Sequence, residues 1–263
     1  MVNREKLPVA LTIAGSDSGG GAGIQADLKT FAALGVHGTS AIACLTAQNP
    51  HRVSAIEACT PKMLREQIAA VFTGLHPAAV KTGMLYTAEN IQVVAKFFSG
   101  QKTLLVVDPL MVSTSGARLL KPDAEEILRE KLLPLATLIT PNLDEAGVLT
   151  GEKINSPEGM RDAARELFGL FGAAVLVKGG HLKGTREAMD IFFDGRTELL
   201  LTAPMVKGVR THGTGCTYSA AICAALAKGD GLPQAVTRAK EFVTRAIANS
   251  YRVRNEFGLG QIV

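Results

Sequence analysis

Short apolar runs recur along this chain and never grow long: Val9–Ile13, Ser40–Leu45, Ala78–Thr82, Leu104–Val107, Leu138–Thr140 and Ala174–Val177. Runs this brief and this continuous suit strands buried on both faces. Longer stretches with helical periodicity lie between them. Ile24, Leu28, Phe31 and Leu34 share one helical face, as do Ala163, Leu167 and Leu170. Met63, Gln67 and Ala70 line up beside Leu64, Ile68 and Val71. Strand alternating with helix predicts an α/β chain with a mostly parallel central sheet and helices on both faces. The spacing repeats but the residues do not, which argues against a solenoid. After Gly184 the pattern changes. Ala188–Phe193 and Leu199–Ala203 flank Asp194-Gly195-Arg196 and predict a hairpin. Two long helices are expected after it, from about Gly213 to Lys228 and from about Pro233 to Ser250. No linker interrupts residues 1–263, so a single domain is expected, with a loosely ordered tail from Asn255 onward.

Composition narrows the class. The net charge of +4 comes from scattered Lys and Arg with no interleaved aromatics, which argues against a nucleic-acid partner. Cys44, Cys59, Cys216 and Cys223 form no C-x-x-C pair and are too few for a disulfide scaffold, so a reducing cytoplasm is the expected setting. The five histidines show no metal-ligand spacing. Arg4 and Lys6 before Leu7–Ala14 faintly suggest a signal peptide, but Pro8, Thr12 and the glycine loop that follows favour a buried first strand. No apolar run approaches the ~20 residues of a membrane helix.

In open α/β sheets ligands bind beyond the carboxyl ends of the strands. Those positions hold Gly15-Ser16-Asp17, Gln48-Asn49, Gly83-Met84, Asp108-Pro109, Pro141-Asn142 and Lys178-Gly179-Gly180, polar or glycine-rich at every strand. The first loop, Gly15 to Gly23, nominally fits a dinucleotide fingerprint as Gly21-x-Gly23-x-x-Ala26. The acidic residue expected after the second strand is missing, since Thr46-Ala47-Gln48 stands there, and no Walker Gly-Lys-Ser/Thr follows either. Glycine density of this kind predicts close backbone approach to a ligand.

Thr211-His212-Gly213-Thr214-Gly215-Cys216 opens a helix of small residues. Bare N–H groups and the helix dipole predict an anion site there, suited to a phosphate in transfer. Cys216 falls in the first turn, where a thiol pKa is expected to be lowered; a buried structural cysteine is the bland alternative. Cys223, Cys44 and Cys59 read as packing. Asp108 ends an apolar strand before a proline, so its carboxylate should face the crevice. Asn142 and Glu145 have capping-box spacing, and cap and functional roles stay equally open for the pair. Lys178 follows Val-Leu-Val and must reach solvent or an anion; with Gly179-Gly180 behind it, phosphate is the natural partner.

These motifs resemble a known family. The stretch from Ala14 to Thr30, then Thr46-Ala47-Gln48-Asn49, Lys81-Thr82-Gly83-Met84, Asp108-Pro109-Leu110-Met111-Val112, Thr140-Pro141-Asn142, Val177-Lys178-Gly179-Gly180-His181 and Thr211–Cys216 resemble the hydroxymethylpyrimidine/phosphomethylpyrimidine kinases of thiamin biosynthesis. Their order matches and they span nearly the whole chain. Cys216 is shared with this subfamily and with some related pyridoxal kinases, whereas most ribokinase-like proteins have aspartate there. The resemblance implies a ribokinase-like three-layer sandwich, ATP and Mg²⁺ as cofactors, and a homodimer. It implies phosphorylation of the aminopyrimidine alcohol HMP and then of HMP phosphate. It places the pyrimidine near Gly15, Asp27, Gln48, Met84, Leu110 and Cys216, and the nucleotide near Asn142, Lys178, Thr211 and Gly213.

The residue chemistry is compatible with those placements. Gln48 can pair bidentately with a ring nitrogen and an exocyclic amine, and Asp27 can accept from the ligand. Met84 and Leu110 supply apolar walls. N–H groups from Gly213 through Gly215 to Cys216 can stabilise the transferring phosphoryl with Lys178 and Mg²⁺, the metal held by Asp108 and Glu145 through water. Cys216 is expected to act as base for the alcohol in the first step. The competing readings are a pyridoxal kinase of the same fold, a non-catalytic pyrimidine-binding protein and a sugar kinase. At 263 residues, no fused thiamin-phosphate synthase is expected.

Overall fold

The computed structural model describes residues 6–111, 120–121, 123–180, 182, 187–206, 209, 212–254 and 256–261. Nine strands form one sheet: β1 (Val9–Asp17), β2 (His37–Asn49), β3 (Arg52–Ala58), β4 (Ala79–Thr82), β5 (Leu104–Val107), β6 (Leu138–Ile139), β7 (Ala174–Lys178), β8 (Glu187–Phe193) and β9 (Glu198–Pro204). Their order across the sheet is β3-β2-β1-β4-β5-β6-β7-β8-β9. From β2 to β7 every pairing is parallel, whereas β3, β8 and β9 are antiparallel to their neighbours.

The parallel strands are short and apolar because each residue must fit one of two cores. Leu11, Val80, Val107, Ile139 and Val177 point to one face, where α2 (Pro61–Leu75), α3 (Ala88–Phe98), α4 (Ala124–Ile127), α5 (Leu143–Thr150) and α6 (Pro157–Phe171) pack. Ala10, Ala79, Val106, Leu138 and Leu176 alternate to the other, under α1 (Gly23–Ala33), α7 (Thr214–Ala227) and α8 (Leu232–Ala248). Each fully buried aliphatic side chain contributes about 1.5–3 kcal/mol. Alternation in the strands thus decides which helices each strand residue meets.

Helix boundaries follow local chemistry. Thr60 and Ser156 cap α2 and α6, each with proline in the first turn, and α6 stops at Gly172 in the left-handed region. The expected hairpin is β8–β9, its turn held by Asp194 Oδ1, which accepts from the Arg196 and Thr197 amides at 2.9 and 2.7 Å.

Two features differ from expectation. Strand β3 has no apolar run because it is largely exposed and covers only one edge of β2. The tail is anchored rather than loose. Tyr251–Val253 (β10) and Glu256–Gly258 (β11) form a second, two-stranded sheet. The buried Gln261 then donates to Thr217 Oγ1 at 2.6 Å, Thr30 Oγ1 at 3.2 Å and the Ala26 carbonyl at 3.3 Å. One amide side chain thereby ties α1 to α7. Of the motif residues, Thr211, Val112 and His181 lie outside the described residues.

Candidate active site

Strand β1 runs through Gly15 to Asp17, with a register shift against β2 between Ala14 and Gly15. Gln48 likewise lies in the last turn of pairing of β2 rather than beyond it. Beyond the register shift in β1, Asp17 is buried. Its carboxylate accepts from the amides of Gly19, Gly21 and Ala22 at 2.8, 3.1 and 2.8 Å, and pairs with His212 Nε2 at 3.0 Å. Burial alone would raise the Asp17 pKa; the bonds from His212, Ala22 and Gly19 outweigh it and hold the carboxylate below its usual range. This corrects the reading of the glycine loop: these amides close on the chain's own carboxylate. A side chain at Gly21 would meet the His212 ring 2.8 Å away, so close backbone approach is real, but its partner is internal.

The start of α7 meets this loop directly. Gly213, the N-cap residue, has φ 87°, and a Cβ there would collide with the Gly21 carbonyl oxygen. Only glycine satisfies both demands. No side-chain cap covers this helix end. Lys178 and Asp108 stand beside it: a Cβ on Gly215 would lie 3.4 Å from Lys178 Nζ and 4.0 Å from Asp108 Oδ2. Lys178 Nζ donates to Asp108 Oδ1 at 2.8 Å, and Thr140 Oγ1 and Ser219 Oγ add bonds to Asp108 at 3.2 Å each. Burial opposes the Lys178 ammonium, but Asp108 and then Glu145 hold its pKa above the ordinary value. Gly213, Gly215, Lys178, Asp108 and Cys216 thus converge at one helix terminus.

Cys216 departs from expectation. The thiol is buried, and burial pushes its pKa up to about 11, despite Lys81 and the Gly23 amide pulling it down. Helix-terminal position is outweighed by desolvation, and the thiol keeps its proton at neutral pH. A protonated thiol cannot accept the proton of an alcohol, so this environment disfavours the base role expected for Cys216.

Asn142 and Glu145 form a complete capping box on α5. The Glu145 amide donates to Asn142 Oδ1 at 2.9 Å and the Asn142 amide to Glu145 Oε2 at 2.9 Å. Glu145 Oε1 also accepts from the Met111 amide at 3.3 Å. Burial, with Asp108 adding to it and Lys178 opposing it, raises the Glu145 pKa to about 7. The cap is therefore present, and Glu145 also sits within the field of Lys178 and Asp108.

Asp27 was expected to touch the ligand. Instead its carboxylate is fully buried, with Lys81 Nζ at 2.8 and 3.0 Å and Thr12 Oγ1 donating at 2.6 Å. Lys81 was quoted in a motif without a role of its own. The signal was available, since a lysine inside an apolar strand is what singled out Lys178. Asp17 and His212 were likewise quoted in motifs without a role, and Ser219 was given none.

A second group adjoins this one. Gly15 leaves room for Cys44, whose Sγ would lie 2.8 Å from any Cβ at that position, with Met84 Sδ at 3.6 Å. Cys44 and Met84 form a small apolar cluster with Ile56, Tyr86 and Leu110. Leu110 adopts φ 40°, a strained conformation for a branched residue. Gln48 stands at the polar rim, with Nε2 3.0 Å from His212 Nε2 and Oε1 3.0 Å from Thr46 Oγ1.

The arrangement is a helix end without a side-chain cap beside a small apolar cluster with one carboxamide. Phosphomethylpyrimidine kinase is the family whose sequence pattern matches residues 17–261. The chain belongs to the phosphomethylpyrimidine kinase family. Among its relatives is the hydroxymethylpyrimidine/phosphomethylpyrimidine kinase of Rhizobium meliloti (strain 1021), 50% identical over 97% of this chain and 96% of that one. The ADP complex of Bacillus subtilis pyridoxal kinase superposes with a TM-score of 0.90 at 39% identity, covering 97% and 98% of the two chains. The Staphylococcus aureus pyridoxal kinase with AMP-PCP and pyridoxal gives 0.88 at 36% identity, covering 98% and 94%. The phosphomethylpyrimidine kinase fold seen here is thus ribokinase-like, and the chain is a phosphotransferase that acts on small molecules and uses ATP.

Proposed function

We propose that this kinase transfers the γ-phosphoryl group of ATP to the hydroxymethyl oxygen of 4-amino-5-hydroxymethyl-2-methylpyrimidine, and then a second phosphoryl group to the resulting phosphate, supplying the pyrimidine half of thiamin diphosphate. The observation that carries this reading is the adjacency of two built environments. The start of α7 with Lys178 fits a transferring phosphate, and the pocket of Gly15, Met84 and Leu110 with Gln48 at its rim fits a flat aminopyrimidine.

Phosphoryl transfer needs positioning and charge neutralisation more than covalent help. The α7 amides from Gly213 to Cys216 and the Lys178 ammonium would stabilise charge on the transferred group. Asn142 and Thr211 would border the nucleotide. Cys216, as a protonated thiol, would pack against the substrate rather than remove its proton.

The donors fit Mg²⁺ only at one remove. Asp108 already accepts from Lys178, Thr140 and Ser219, and Glu145 from two backbone amides, so both would hold a hydrated ion through water. The ion would neutralise charge on the nucleotide phosphates.

We propose a homodimer and a cytoplasmic setting as well. The four unpaired cysteines support a reducing compartment. Among the described residues, no helix is long and apolar enough to cross a membrane. A second reading, pyridoxal kinase, is favoured by the likeness to the two pyridoxal kinases. ADP release at saturating ATP and Mg²⁺, with limiting HMP or limiting pyridoxal, tests both. Two ADP per HMP with slower pyridoxal turnover supports the pyrimidine reading. One ADP per pyridoxal with little HMP activity overturns it.

A further inference from the structure

Gln48 is joined to a chain of polar groups that begins and ends on fixed acceptors. At one end Thr46 Oγ1 lies 2.9 Å from the Ser16 carbonyl and 3.0 Å from the Gln48 carboxamide. At the other, His212 Nε2 lies 3.0 Å from Asp17 Oδ2 and 3.0 Å from the carboxamide. A carbonyl and a carboxylate can only accept. Thr46 has a single hydroxyl proton, and the Ser16 carbonyl takes it. Thr46 can then only accept from Gln48. His212 Nε2 has a single site for a proton, and Asp17 requires it to be filled. His212 can then only donate toward Gln48, in a bond shared with Asp17. Both ends therefore demand the same rotamer of the carboxamide, nitrogen toward Thr46 and oxygen toward His212, the reverse of the placement in which Nε2 faces His212 and Oε1 faces Thr46. The two atoms exchange by a half-turn about the terminal bond, so shape alone does not choose between them.

We propose that His212 is a positioning residue that sets the polarity of the Gln48 carboxamide and so decides which way round an aminopyrimidine can dock. The inference rests on the reading of Gln48 as the group that recognises the pyrimidine. With the oxygen on the His212 side, its remaining lone pair receives the exocyclic amine there. The remaining N–H faces a ring nitrogen on the Thr46 side. Asp17 holds His212 as a donor, and the amides of Gly19, Gly21 and Ala22 hold Asp17. The glycine loop thus reaches the substrate through two intermediaries.

The test is HMP binding by calorimetry without ATP, on full-length protein, for His212→Ala, His212→Gln, Gln48→Ala and the double variant His212→Ala/Gln48→Ala. Losing one well-placed hydrogen bond corresponds to about tenfold in affinity. His212→Ala is expected to weaken HMP by about that factor. His212→Gln restores a side-chain N–H donor and is expected to recover most of it. In the Gln48→Ala background, His212→Ala is expected to change the affinity no further. Equal weakening by His212→Ala in both backgrounds would overturn the positioning role, since the effect would not pass through Gln48. Undiminished HMP binding by Gln48→Ala alone would instead overturn the reading of Gln48 itself. A thermal melt of each variant identifies loss by unfolding, and in that event Thr46→Val, which removes the acceptor at the other end of the chain, replaces His212→Ala in the same cycle, with the same two outcomes deciding.

Discussion

Lys81 Nζ lies 2.8 Å from Asp27 Oδ2, and both side chains have no exposure to solvent. Burial alone would lower the Lys81 ammonium pKa, but the Asp27 carboxylate overrides it and holds the group charged. Burial likewise pushes Asp27 up against the pull of Lys81 and Thr12. The pair links α1 to β4.

Removing one partner of such a pair leaves an uncompensated buried charge, at a cost of about 3–5 kcal/mol. Lys81→Met and Asp27→Asn are each expected to lower the thermal midpoint sharply. The double variant is expected to regain much of the loss. Additive losses in the double variant would show that the two side chains act separately.

Glu145 makes stability depend on pH. Its pKa of about 7 stands above the ordinary 4.5, so the folded state holds a proton that the unfolded state releases. The contribution is full below pH 4.5 and is lost as pH rises through about 7. In metal-free buffer the protein is expected to lose stability between those values, by up to about 3 kcal/mol. Glu145→Gln keeps an acceptor for the cap and carries no charge, so its melting curve should be flatter over that window. Parallel profiles for the two proteins would refute the assignment.

Cys216 should be slow to react. With its pKa near 11, iodoacetamide labelling followed by mass spectrometry is expected to be slow at pH 7.5 and to climb steeply toward alkaline pH. Because the thiol is not a base at neutral pH, Cys216→Ala should slow the two phosphorylations by similar factors, within about threefold of each other, as packing losses do. A loss confined to the alcohol step in single-turnover rates would restore the base.

Gly213→Ala combines a left-handed φ of 87° with a collision against the Gly21 carbonyl. Strain of this kind costs about 1–3 kcal/mol before the clash is counted. ATP turnover is expected to fall by at least about 100-fold, with far-ultraviolet circular dichroism retained. Gly229→Ala, at another left-handed glycine but with open space around it, is the control and should leave turnover within a few-fold.

The parallel sheet was legible in the sequence because strands buried on both faces cannot hide their apolar runs. Strand β3 was not, since Ser54, Ala55 and Glu57 are exposed and leave no run to read. The anchored tail was hidden for a different reason: Gln261 is a polar residue buried through three hydrogen-bond partners far away in sequence. In the site, Lys178, Asp108 and the glycines of α7 could be read from strand ends and helix starts. Cys216 was placed correctly but given the wrong charge state, because position on a helix is local and desolvation is not. Asp27, on α1, was misread because its partner, Lys81, lies on β4, far away in the sequence.

The contact between Gly21 and Gly213 has a mechanical consequence. With backbone against backbone and Asp17 bonded to both His212 and the loop amides, the two glycine segments leave no slack between them. The start of α7 and the rim near Gln48 are thereby tied together like two jaws cut from one piece of metal. A substitution that displaces either segment is therefore expected to displace the other.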